Sequence, residues 1–418
     1  MRRLLLVCCL LLPILSHAAE FEIYQSGYKP LQLALLVKSA SANEQALVAN
    51  VVRNDLDSSQ SFKAMNPLSF LDTPEQTWAK VEYDDWRIIG ADTLALVDLT
   101  DTAAGWHAEV QVHDPFRNKL LSTVRLDAPH DAIRQLAHSI SNHIYQSVLG
   151  IPGYFNSHVL YVRKHGEYSD LIYMDQDMAN QQVVGSNFTL LLSPDWSPDG
   201  QVVALNTYVG NRPRLEFFNL RDGSRTAFGN FKGLNSTPEF SPDGRYVAAT
   251  LSYTGDINIY IYDIKADHWQ RITRDTAIDT TPTWSPDGKQ IAFVSNRTGD
   301  PQIYRMNADG SDVTRVTTIG NYNTSPVWSP LGDRIAFVTK KDWAYALATV
   351  RVDGSDIRYL ATGQQIESPT WSPNGQMLMY AAGESGIRRV YRIPAWGGTP
   401  EAVTPPNIDA SDPAWSRH

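Results

Sequence analysis

A six-bladed β-propeller behind an α/β domain is the fold class this sequence predicts, and three observations predict it. An aromatic residue followed by Ser, usually Ser-Pro-Asp-Gly, recurs at Trp196, Phe240, Trp284, Trp328, Trp371 and Trp415, at spacings of 44, 44, 44, 43 and 44 residues. A fixed period in the forties with strand-like content is the signature of a propeller, one four-stranded sheet per repeat. The stretches before the first repeat and around the last each hold part of one further sheet. Residues 20–150 lack the repeat and read as a separate domain of strands and helices.

Taken in chain order, Met1-Arg-Arg3, the apolar residues 4–15 and the small residues Ser16, Ala18 and Ala19 read as a secretory signal peptide over residues 1–19. Cleavage is expected after Ala18 or Ala19. The apolar run is too short for the ~20 helical residues that span a bilayer, and no later run reaches that length. The expected product is therefore a periplasmic protein that does not span the membrane. Cys8 and Cys9, the only cysteines, fall within this segment, which leaves neither a disulfide nor a thiolate metal site.

In the domain over residues 20–150, the first seven residues are extended in character. They form either an internal edge strand or a free strand that docks on a partner's sheet edge. Residues 31–37 are an apolar strand. Ser41 then caps a helix over residues 42–56, with Leu47, Val48, Val51, Val52 and Leu56 on one side. Residues 62–65 are a short strand before a Pro-containing loop, and residues 93–97, 106–112 and 120–126 are three successive strands. Residues 131–149 form an amphipathic helix that buries Ile133, Leu136, Ala137, Ile140, Ile144 and Val148. Gly150-Ile-Pro-Gly153 is the hinge into the propeller over residues 151–418.

The repeat at Trp284 shows the propeller chemistry most plainly. Pro286 fixes φ at the first central turn position, Asp287 tolerates the second, and Gly288 closes the turn. Residues 290–295 suit a strand buried on both faces, residues 302–307 alternate as a third strand, and residues 313–318 supply the outer one. The Trp is a large apolar wedge between neighbouring sheets. Residues 158–163, 171–174 and 182–184 look like the last three strands of a repeat, and Asp412-Pro-Ala-Trp415 is an opening strand with nothing after it. Joined, the two ends complete a sixth blade and close the ring.

No catalytic constellation is expected. No Gly-x-Ser-x-Gly elbow exists, and Gly383-Glu-Ser-Gly386 is one residue short and reads as a turn. His158, His165, His268 and His418 are scattered. His138 and His143, five apart on a predicted helix, miss the i, i+4 spacing of a shared ligand face. No histidine or carboxylate cluster at regular positions is expected along the channel. The expectation is thus no catalytic residue, no cofactor and no metal. The chain carries 36 Lys+Arg against 45 Asp+Glu, a formal net charge of −9, which becomes −11 once Arg2 and Arg3 leave with the signal peptide. That balance argues against nucleic acid, whose binding rests on basic side chains.

Asp85-Trp86 with Gly90-Ala91-Asp92 before a strand, the hinge running to Tyr154-Phe155, the propeller repeats and the terminal Pro413-Ala-Trp-Ser416 carry a resemblance. Over essentially its whole length the chain resembles the TolB family, periplasmic components of the Tol-Pal system. The resemblance implies a non-enzymatic adaptor. In that family an N-terminal arm pairs with TolA, and the propeller engages the peptidoglycan-associated lipoprotein Pal, supporting outer-membrane integrity and outer-membrane invagination in cell division. The arm here is residues 20–27, with Glu20, Phe21, Glu22, Ile23 and Tyr24 facing TolA. The Pal-facing positions precede the inner strands at one mouth of the channel: Leu234, Asn235, Thr237, Asp279, Thr280, Asn323, Thr324 and Glu367. Other envelope proteins are further candidate partners. The alternative is an envelope propeller that binds glycan or a small molecule, or a divergent lyase.

Overall fold

The computed structural model describes residues 29–384 and 386–417. The signal peptide and arm expected over residues 1–27 lie outside the described residues, as does His418. The N-terminal domain is a five-stranded sheet of order β2-β1-β3-β4-β5. Strand β1 (Leu31–Ser39) runs parallel to β2 (Phe62–Ala64) and β3 (Thr93–Thr102), while β4 (Gly105–Asp114) and β5 (Lys119–Ala128) add antiparallel. Four helices cover the sheet: α1 (Ala42–Ser58), α2 (Pro74–Ala79), α3 (Tyr83–Ile88) and α4 (Ile133–Leu149).

Burial on both faces explains the continuous apolar run of β1. Leu33, Leu35 and Val37 pack into a core with α1 and α4, whereas Ala34 and Leu36 pack with Trp86 of α3 on the other side. Ser41 does occupy the N-cap position of α1, but its hydroxyl binds the Glu44 carboxylate and caps no backbone N–H. Residues 130–132 form a 3₁₀ turn ahead of α4, not its first turn. The loop expected after β2 contains α2 and α3. Each is six residues long, too short to show a helical period. The start of α2 was nonetheless written in the sequence: Thr73 and Gln76 bond reciprocally as a capping box, with Pro74 at the first helical position.

The C-terminal part is a ring of six four-stranded sheets. The closing sheet joins Asp409–Trp415 as its inner strand to His158–His165, Tyr168–Asp175 and Gln182–Phe188, with Asp409 opposite Lys164 and Trp415 opposite Val159. Ser416 N–H donates to the His158 carbonyl at 2.8 Å, and His158 N–H donates to Ser416 Oγ at 2.9 Å. In the third blade the second and third strands, Gln290–Ser295 and Gln302–Asn307, form as the sequence indicated. The outer strand shrinks to Thr314–Arg315.

Two sets of hydrogen bonds tie neighbouring blades together, each at some of the six seams. The residue before four of the repeated aromatics bonds the next inner strand: Asp195 accepts from Phe240 N–H at 2.7 Å and Glu239 from Trp284 N–H at 2.9 Å. Thr283 accepts from Trp328 N–H and Thr370 from Trp415 N–H, both at 3.2 Å. Three indoles run the other way, Trp196 Nε1 donating to the Ala414 carbonyl, Trp284 Nε1 to the Glu239 carbonyl and Trp371 Nε1 to the Val327 carbonyl. The aromatic is therefore both a wedge and a donor, and Phe240 keeps only the first role.

The N-terminal domain packs at the end of the ring where the Ser-Pro-Asp-Gly turns lie. Asn374, in one such turn, donates to the Pro152 carbonyl at 2.8 Å. Tyr145, Tyr154, Phe155 and Trp415 belong to one apolar core that runs from α1 and α4 into the closing blade. Tyr154 and Trp415 meet edge to face with centroids 5.5 Å apart, and Trp415 Nε1 donates to Ser157 Oγ at 2.7 Å. The two domains share a core, so their junction is no bare linker.

Candidate binding face at the mouth of the channel

Every inner strand carries the same irregularity. Ser193, Thr237, Thr281, Ser325, Ser368 and Asp412 each precede a proline and each have a positive φ, between 48° and 52°. Proline disfavours helical backbone in the residue before it, and a left-handed non-glycine residue is strained. The combination persists because it makes the bulge that breaks pairing between each inner strand and its neighbour. The same bulges turn six small polar side chains into a ring at the channel mouth, around a cavity of about 210 Å³.

Below the ring, Asp195 and Glu239 stand at the waist with Val327, Thr370 and Trp415, which also border a second cavity of about 270 Å³ at the far end. Arg417 sits there, 3.7 Å from Asp195 and donating to the Phe240 carbonyl at 2.7 Å. Enclosure, reinforced by the Asp195 charge, pushes the Glu239 carboxyl up to about 8. Asp412, in the ring, accepts from Ser193 N–H at 3.1 Å and from Ser368 Oγ at 3.3 Å. The expectation of no carboxylates at regular positions along the channel is therefore corrected. Asp195 and Glu239 fall at equivalent positions of successive repeats, but each is bound to the neighbouring strand.

Around the polar ring lies an apolar rim. In each blade the hairpin joining the second and third strands reaches the same end as the start of the inner strand. Tyr168, Val209, Tyr253, Trp343 and Ile387 sit at or beside five of these hairpin tips, and Ile278 beside the sixth, all exposed. Trp343 is 98% exposed, held out on the two-residue turn between Lys341 and Ala344. One large apolar side chain per blade is more than scattered exposure accounts for.

The residues expected to face a partner divide by depth. Thr237 lines the mouth cavity and bonds Thr250 Oγ1 at 2.9 Å. Leu234, Thr280, Thr324 and Glu367 are half-buried beside it, Glu367 being paired with Arg388 at 3.1 Å. Asn235, Asp279 and Asn323 are fully buried. Asn235 donates to the Phe231 and Gly233 carbonyls, Asn323 donates to the Ile319 carbonyl and Gln302, and Asp279 binds Arg297. These three pin the linkers between blades and do not present a surface to a partner. The five other members of the ring went unread, although the Ser-Pro, Thr-Pro and Asp-Pro pairs repeat in step with the aromatics.

Two family models match this chain: the TolB beta propeller domain over residues 145–418 and the TolB amino-terminal domain over residues 19–121. The chain belongs to the TolB family. Among curated relatives, the Tol-Pal system protein TolB of Paramagnetospirillum magneticum is 35% identical over 232 residues, covering 53% of this chain and 52% of that protein. The protein of the same name from Chromobacterium violaceum is 31% identical over 219 residues, covering 52% and 51%. The alignment thus spans about half the length of these relatives. The crystal structure of TolB from Acinetobacter baumannii matches with a TM-score of 0.85 at 29% identity, covering 93% of this chain and 96% of that one. A chain of a nidogen/laminin complex matches at 11% identity and a TM-score of 0.51, a likeness of fold alone.

Proposed function

We propose that this chain is a non-enzymatic periplasmic adaptor of the Tol-Pal system. Its channel mouth binds the peptidoglycan-associated lipoprotein Pal, and its arm over residues 20–27 binds TolA. Its role is to support outer-membrane integrity and outer-membrane invagination in cell division. The observation that carries the reading is the six-membered polar ring inside an apolar rim, at the end of the propeller away from the N-terminal domain. A rim of large apolar side chains around hydrogen-bonding groups suits a folded protein partner, with an exposed Trp as its anchor. The channel carboxylates are engaged with neighbouring strands and Arg417, which gives no support to the lyase alternative.

Calorimetric titration with the soluble domain of Pal tests the reading. A one-to-one complex is expected, abolished by Thr237→Arg and weakened at least about tenfold by Trp343→Ala, the scale of an interface hot spot. Removal of residues 20–27 should abolish TolA binding and leave the Pal complex intact. Absence of a complex, or one indifferent to both mouth substitutions, would overturn the assignment of this face.

A further inference from the structure

A buried polar cluster joins the N-terminal domain to the closing blade. Asp55 on α1 is fully buried and is bound by three side chains: His138 Nδ1 at 2.7 Å, Ser141 Oγ at 2.7 Å and Gln176 Nε2 at 2.9 Å. His138 and Ser141 belong to α4, whereas Gln176 lies in the closing blade, on the turn after Tyr168–Asp175. His138 is 4% exposed, and its Nε2 has no hydrogen-bond partner; it faces Asp177 Oδ2, on the same turn, at 4.0 Å. Arg134 of α4 binds the same turn, with its Nη2 on that same Asp177 Oδ2 and its Nε 3.7 Å from Asp175.

We propose that His138 is a proton-operated latch between the two domains: as an imidazolium held between Asp55 and Asp177 it keeps the N-terminal domain on the closing blade, and loss of its proton releases that hold. The ring nitrogens face carboxylates on different domains, so only the doubly protonated ring donates to both. With a neutral ring, Asp55, Asp175 and Asp177 outnumber the Arg134 guanidinium in a largely buried site, and the imidazolium offsets part of that negative charge. The carboxylates of Asp55 and Asp177 and the ring lie within 4.8 Å of one another, a spacing that also suits a metal ion. A dication would offset the same carboxylates, so metal binding is the competing outcome of the test.

The surrounding groups agree. Burial pulls the His138 ring down, but the hydrogen bond and charge of Asp55, with the charge of Asp177, outweigh it against Arg134 and hold the ring above the ordinary histidine value. Burial pushes the Asp55 carboxyl up, opposed by His138 and Ser141, so the pair as a unit keeps its proton to higher pH. Asp175 lies between Arg134, at 3.7 Å, and His158, at 3.4 Å, and the His138 charge acts on it as well. Tyr154 of the connecting segment has its hydroxyl pushed up by burial and stays protonated. Beyond it, Arg392 and Glu401 of the fifth blade pair with each other at 2.9 Å. A raised folded-state value means that the hold is complete below about pH 6.5, where the unfolded histidine titrates, and is lost as pH rises through the folded value.

The test is a proton NMR titration of the His138 ring in the full chain, assigned with His138→Gln, alongside hydrogen exchange over residues 52–58 and 172–180. His138 should titrate above about 6.5, with both segments opening about tenfold more across that titration after correction for intrinsic exchange. His138→Gln should be open at every pH with no step, and Asp177→Asn should move the titration of His138 down. A ring that titrates below the ordinary histidine value, or a His138→Gln chain that keeps the wild-type step, overturns the latch. So does protection of the two segments by zinc ion that His138→Gln removes, which would make a metal the occupant. Should His138→Gln fail to fold, Asp177→Asn decides alone, and an unmoved His138 titration in it refutes the proposal.

Discussion

Glu239 shows how the ring uses an acid where other blades use a hydroxyl. Its Oε1 accepts from Trp284 N–H at 2.9 Å and from Thr283 Oγ1 at 3.0 Å, the bonding that Thr283 and Thr370 supply to the next inner strand with a neutral group. Its folded value near 8 lies above the ordinary glutamate value, so wild-type stability should fall as pH rises from about 4.5 to about 8. Glu239→Gln keeps the acceptor and cannot ionise. Thermal melting between those limits should show a flatter profile for the variant, with the two proteins closest at the acid end. Residue identities of this kind were legible from the repeat, but their environments were not. Ser325 before Pro326 reads locally as extended backbone, and only the ring imposes its φ of 50°.

At the level of a single turn, the Ser-Pro-Asp-Gly motif is a hydrogen-bonded clip. Ser285 Oγ donates to Asp287 at 2.7 Å and accepts from Gln290 N–H at 2.9 Å, fastening the inner strand to the second strand. In the next blade Leu331 replaces the aspartate, and Ser329 Oγ accepts only from Leu331 N–H, at 3.2 Å. Ser285→Ala should therefore cost about 1–2 kcal/mol and Ser329→Ala clearly less, measured as a difference in urea unfolding. Inner strands were readable from the repeated aromatic and its turn, and second strands because burial on both faces writes itself as an apolar run. Outer strands, which pair on one side only, were less regular: the one expected at residues 182–184 forms as Gln182–Phe188, whereas that at residues 313–318 survives as two paired residues. The helices α2 and α3 escaped notice because six residues are too few to establish a period.

For the molecule as a whole, counting repeats was enough to find six blades and their closure, because each blade must own four strands. How the N-terminal domain sits on that ring was beyond reach: Asp55 and Gln176 are 121 residues apart, and no local pattern announces that they touch. Removing residues 409–418 deletes the inner strand of the closing blade and takes Trp415 from the core shared by both domains. Circular dichroism of that truncation should show loss of the cooperative thermal transition, not a modest shift of its midpoint. The same closure sets an order in time. The strand His158–His165 must wait for a partner whose anchoring residue, Ser416, lies 258 positions later, so its edge stays open while five complete sheets are assembled. Joining events this distant in sequence are slow, and closure is expected to be the late step of folding. A chain interrupted anywhere before that strand would keep an unfinished edge, and cellular proteases would meet it in that open state.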